Sequence, residues 1–217
     1  MAMETSRPRR YRSALREEQA SATRQRVLES AGRCFASKGF TGTTLGAIAA
    51  DAGVSVETVQ AHGPKKRLLL AALEAASAGE EGGRSILEVP AAQAVLAQED
   101  ARAGLLGLAS FAAELNGRIG RLWQAMAAAA QGDPEIASAQ ASLQERIRTD
   151  FLKVARLLQQ RGGLRLDIPL EEVALTLWLL TSPYLYEHLV VQAGWTPQRY
   201  LAWLQRVVLE AALAPGK

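Results

Sequence analysis

The 217-residue chain is predicted to be all-α, with a small three-helix N-terminal head, a larger helical body and about nine helices in all. Three observations predict this. Apolar residues recur at helical spacing through most of the chain, and no convincing run of strict apolar–polar alternation appears. Gly and Pro fall mainly between those apolar stripes, where they act as punctuation. Three short amphipathic segments crowd into residues 23–70, ahead of a long Ala- and Leu-rich remainder. The expected division is a basic, flexible arm over residues 1–20, the head over 21–66 and the body over 67–217.

In the first helix Val27, Leu28, Ala31, Cys34 and Phe35 mark one buried face. Lys38-Gly39 closes it, with a cation in the last turn and a glycine able to take a left-handed conformation. A second helix should start at Thr43 or Thr44, whose hydroxyl can accept from an orphan N–H. It continues through Leu45, Ile48 and Ala49 and stops near Gly53. Ser55 offers an N-cap for a third helix, about Val56 to His62, which Gly63-Pro64 ends. Between the second and third lies Asp51-Ala52-Gly53-Val54-Ser55. A short turn with a central Gly lets two helices cross steeply, as a helix-turn-helix unit requires. In such a pair the second helix enters the DNA major groove through its N-terminal residues. The whole constellation is far rarer than a plain helical hairpin, so it points to DNA binding.

The segment resembles the N-terminal domain of the TetR family of bacterial transcription regulators. The matching residues are Ala31, Phe35, Gly39-Phe40, Thr43-Thr44, Ile48-Ala49, Ala52-Gly53-Val54-Ser55, Thr58, His62, Lys66 and Leu68. The resemblance implies an all-helical homodimer that reads a palindromic operator in double-stranded DNA. It also implies a body that binds a small molecule or dimerises. On that basis Thr43, Thr44 and Lys66 are expected to hold phosphates. Ser55, Val56, Glu57, Thr58 and Gln60 are expected to face or flank base edges, and His62 to contact backbone. The chain departs from the family at Gln60 and Gly63, where aromatics are usual, and at Val56-Glu57, where small or basic residues are. Gln60 suits a phosphate or a bidentate contact to adenine, whereas Glu57 repels phosphate unless it accepts from cytosine.

Charge follows the same division. Residues 1–66 hold 11 Lys+Arg against 6 Asp+Glu, and residues 67–217 hold 14 against 16. A basic head on a slightly acidic body suits a chain whose first part meets phosphate. Arg7, Arg9, Arg10 and Arg12 give the arm a further basic cluster, suited to phosphates or the minor groove. No apolar run approaches the roughly 18–20 residues that span a bilayer, and the basic N-terminal stretch lacks the apolar run expected of a secretory signal. The single cysteine excludes an intramolecular disulfide, and its place on an apolar stripe marks a buried structural thiol. The expected compartment is the cytoplasm.

In the body, helices are expected over about Glu99–Asn116 and Arg118–Gln131, with the loop Gly79–Gly83 before them. Asp133-Pro134 starts a helix that runs to Gln160: Asp as N-cap, Pro at the first position, Glu135 in the first turn. Asp167 and Pro169 begin another, which Ser182-Pro183 should kink or restart. Thr196-Pro197 begins the last. These final two helices are apolar over much of their circumference, which predicts a four-helix interface with a second copy. The resemblance also implies a cavity in the middle helices. Its candidate lining is Phe111, Trp123, Met126 and Phe151, with Tyr184 and His188 as polar handles, and few charges nearby imply an apolar effector.

Enzyme chemistry finds no support. The two histidines lie far apart without metal-ligand spacing, no Gly-rich phosphate loop follows a strand, and no nucleophile elbow is present. No metal and no cofactor is expected. The first reading is a ligand-responsive repressor, released from its operator by the effector. A second is a helical dimer whose degenerate head has lost specific DNA binding and which serves as a ligand- or protein-binding module.

Overall fold

The computed structural model describes residues 8–83 and 85–214, with side chains from residue 16 onward. The head comprises α1 (Pro8–Gly42), α2 (Leu45–Ala52) and α3 (Val56–Ala61). The body follows with α4 (Lys65–Ala78), a 3-10 turn (Ile86–Glu88), α5 (Pro90–Leu96), α6 (Ala101–Ala130) and α7 (Pro134–Gln160). Then come α8 (Leu170–Leu180), α9 (Pro183–Tyr186) with a π-helical continuation (Glu187–Gln192), and α10 (Pro197–Ala212). Among the described residues there is no strand, only an isolated bridge between Leu164 and Leu213. No described helix is long and apolar enough to cross a membrane.

The local signals act where the sequence puts them. Thr44 caps α2 by accepting from the Ala47 amide, and Gly53 ends it at φ 66°, ψ 37°, in the left-handed region. Ser55 caps α3 through the Thr58 amide. Asp133 accepts from the Glu135 and Ile136 amides and Pro134 opens α7. Thr196 caps α10 in the same way. Helical geometry in α1 breaks at Gly39 (φ 67°, ψ 178°), a backbone region essentially confined to glycine, and a short turn carries on to Gly42.

Three elements differ from expectation. The chain is helical from Pro8, so the expected flexible arm is an N-terminal extension of α1 from that residue on; residues 1–7 lie outside the described residues. The two helices expected on either side of Gly117 are the single helix α6. Glycine costs about 1 kcal/mol in a helix interior, but here packing compensates. A Cβ on Gly117 would lie 3.3 Å from the Tyr186 hydroxyl, so the missing side chain lets that ring close onto α6. The 3-10 turn and α5 fall where no helix was expected; Pro90 stands at the first helical position of α5.

Two cores hold the molecule. One joins the head to the body: Val27, Ala31 and Phe35 of α1, Ile48 of α2, Val59 of α3 and Leu68 of α4 pack with Ile119, Trp123 and Met126 of α6 and Ile136 of α7. The other lies at the far end of the body, where Leu105, Leu158, Leu177, Tyr200, Leu204 and Val208 join α6, α7, α8 and α10. Cys34 is buried in the first core, and desolvation raises its thiol pKa. The head therefore has no separate core of its own. Its third helix rests, through α1 and α4, on the same side chains that wall the body.

Candidate DNA-reading face and effector cavity

Helix α3 buries Val59 and turns Val56, Glu57 and Gln60 outward, together with its cap Ser55. Thr58 is half-buried, its hydroxyl 3.1 Å from that of Ser55. Glu57 sits in the first turn, where its own backbone N–H and the Ser55 hydroxyl hold its carboxyl below the usual range. The acid is thus ionised and engaged at the helix N-terminus. Exposed Thr44 spends only its lone pair on the α2 cap, which leaves its O–H free to donate.

Thr43 is placed otherwise than expected. It is buried, and its hydroxyl donates to the Cys34 and Gly39 carbonyls, at 3.0 and 2.7 Å. It locks the end of α1 and presents nothing to a phosphate. The two neighbouring lysines also divide their work. Lys65 turns back, donating to the Phe40 and Thr43 carbonyls at 2.8 and 2.9 Å with its ammonium 4.3 Å over the Phe40 ring. Lys66 points away and pairs with Glu135 in the first turn of α7. That carboxylate raises the Lys66 pKa, so the ammonium is kept charged but shared with the body.

His62 caps the C-terminal end of α3, half-buried. Burial first, and the nearby Arg24 charge second, lower its pKa from 6.5, so the ring is neutral at pH 7. Gly63 adopts φ 118°, which an aromatic would reach only with strain; the departure at this position fits the turn. Arg24 has no signal in the sequence beyond being one more arginine on α1. Its guanidinium donates to the His62 carbonyl at 2.7 Å and forks onto Glu81 at 2.8 and 2.5 Å.

A cavity of about 840 Å³ opens in the body between α4, α5, α6, α7 and the end of α8. That is within the usual range for small-molecule sites. Phe111, Trp123 and Phe151 line it, with Trp178, Leu115 and Ile119. The other three candidates do not. Met126 is fully buried in the head–body core, Tyr184 is exposed with its ring edge-on to Trp123, and His188 is exposed and bonded to Gln192. One helical turn beyond a lining residue is enough to leave the cavity wall.

Six of the seven described charged side chains at the cavity form three ion pairs with one another. Lys153 reaches Asp150 at 2.8 Å, Arg146 reaches Glu74 at 3.5 Å, and Arg148 pairs with Glu145. Asp150, itself buried, also accepts from the Ser85 hydroxyl at 2.6 Å. Asn116 donates to the Thr181 carbonyl at 2.8 Å. Apolar and aromatic side chains dominate the wall, and Glu80 is its one described charged group outside those three pairs.

Fold and head together define a helix-turn-helix unit carried on a cavity-bearing helical body. Residues 27–73, the head and the first part of α4, match the family model for bacterial regulatory proteins of the tetR family. The fold recurs in solved structures at low identity. A protein described as a transcriptional regulator from Saccharomonospora viridis, in complex with choline, superposes with a TM-score of 0.71 at 21% identity, over 89% of this chain and 99% of that one. FadR from Bacillus subtilis, in complex with stearoyl-CoA, gives 0.69 at 12%, over 86% and 97%. NalD, the secondary repressor of the MexAB-OprM multidrug efflux pump in Pseudomonas aeruginosa, gives 0.61 at 18%, over 90% and 99%. No curated protein matches the chain in sequence.

Proposed function

We propose that the chain is a cytoplasmic homodimeric repressor that binds a palindromic operator and leaves it when an apolar small molecule occupies the body. The observation that carries this reading is the shared core. The outward residues Ser55, Val56, Glu57 and Gln60 stand on a helix whose support, α1 and α4, packs against the α6 wall of the cavity. A ligand that repositions α6 therefore moves the reading helix, and two reading helices must match roughly one helical turn of DNA to bind together. The largely paired charges and the aromatic wall support an uncharged apolar effector. The solved relatives' ligands, choline and stearoyl-CoA, differ widely in chemistry and fix no ligand here.

The dimer rests on the last helices. Leu175 and Leu179 of α8 lie one turn apart and are 45% and 50% exposed, an apolar stripe that a second copy would cover. The test is selection of random duplex DNA by the purified protein, with winning sites rebound at two salt concentrations. A palindrome with half-sites about one turn apart supports the proposal. Charge-driven binding without a motif refutes it and favours the degenerate head, for which the ionised Glu57 speaks.

A further inference from the structure

We infer that Arg24 and Glu81 form a clasp through which the cavity and the reading helix sense each other. This rests on the reading above, that cavity and DNA face are coupled, and names the contact that couples them. The described residues between α4 and α5, 79–83 and 85–89, form a strap across the cavity edge. Its two ends are tied to different parts of the molecule.

On the cavity side, the Gly82 amide donates to Glu74 at 3.0 Å, and the Ser85 hydroxyl donates to Asp150 of α7 at 2.6 Å. A Cβ on Gly83 would lie 3.1 Å from the Arg146 guanidinium, so the strap lies directly on α7. Glu74, Gly83, Ser85, Arg146 and Asp150 all line the cavity. On the head side, Glu81 holds the Arg24 guanidinium in a two-pronged ion pair, at 2.8 and 2.5 Å. The remaining prong of Arg24 donates at 2.7 Å to the carbonyl of His62, the last residue of the reading helix segment.

That carbonyl lies at a helix end, where carbonyls lack intrahelical partners. Arg24 supplies one, and Glu81 fixes the direction from which it comes. Planar guanidinium geometry lets one side chain serve carboxylate and carbonyl together, which lysine does not match. When α7 shifts to admit a ligand, the strap shifts with Ser85 and Gly83, Glu81 pulls the guanidinium, and the end of α3 loses or reorients its partner. Linkage makes the path reciprocal: DNA that fixes α3 must also steady the strap.

Hydrogen exchange of the full chain, alone and with the tightest duplex from the selection, tests this without knowledge of the effector. In the wild type, duplex should slow exchange both at residues 56–63 and at strap residues 79–88, the latter by about fivefold or more. In Glu81→Ala the slowing at 56–63 should remain while that of the strap is lost. Arg24→Lys, which keeps the charge without the fork, should give the same loss. N-phenyl-1-naphthylamine, an uncharged apolar dye used as the cavity probe, should speed exchange at 60–63 in the wild type but not in Glu81→Ala. Strap slowing equal in wild type and variants, or absent from both, overturns the clasp and leaves the DNA-binding reading standing. A wild type that binds no duplex overturns both.

Discussion

Replacing Thr43 with Val separates two roles that its sequence position allows. The side chain keeps its shape and branching, and only the hydroxyl is lost. That hydroxyl is buried and donates to the Cys34 and Gly39 carbonyls. Cys34 keeps a second donor in the Ser37 hydroxyl at 3.2 Å, so the Gly39 carbonyl bears most of the loss. One net hydrogen bond is worth about 1 kcal/mol, and the half-buried Gly39 carbonyl, short of its partner, takes the cost to at most about 2 kcal/mol. For a chain of this size that is a fall in melting temperature of roughly 2–8 °C. Denaturant unfolding at a fixed protein concentration measures the first figure and a thermal melt the second. The same preparation, titrated onto duplex DNA across salt concentrations, should keep the wild-type salt slope, because no phosphate contact has been removed. An unchanged unfolding midpoint together with a slope reduced by about 1 would refute the reasoning and restore Thr43 to the DNA face.

Lys66→Ala should lower the salt slope by about 1 and weaken all sequences alike, whereas Glu135→Gln should tighten DNA at low salt by freeing the ammonium from α7; both are read by fluorescence anisotropy. Gln60→Ala should blur preference at one base position, costing about 1–3 kcal/mol there, as a repeat selection would show. Gly104→Ala should destabilise the body by about 1–3 kcal/mol, since the new methyl would stand 2.6 Å from Leu158 and force α6 and α7 apart; a denaturant midpoint equal to wild type counts against that packing. The folded His62 pKa lies below its ordinary 6.5. As pH falls through that window the unfolded chain binds more protons, so stability drops. His62→Gln should flatten the stability profile there, measured from pH 7 downward.

The sequence by itself determined whatever is settled within one turn of chain. Gly53 at left-handed geometry, the Ser55 and Thr44 caps, Asp133-Pro134 opening α7 and the break at Ser182-Pro183 all lie where reading predicts them. Each depends on a side chain and backbone groups three or four residues away, so neighbours suffice to specify it. The apolar stripe of α1 is legible for a related reason, because helical period alone fixes which residues share a face.

Tertiary structure decided what depends on phase between elements. Thr43 and Thr44 are chemically equal in sequence, yet one hydroxyl enters the core and the other stays in solvent. Lys65 and Lys66 divide in the same way, a step of about 100° around α4 sending one to the end of α1 and the other to α7. Gly117 reads as a break until Tyr186, far along the chain, is seen to occupy the space it leaves. Trp123 lines the cavity while Met126, three residues on, fills the head–body core. Arg24, Glu81 and His62 meet only because three separated segments converge. Such choices are made by the summed packing of distant side chains, and no local pattern carries that sum.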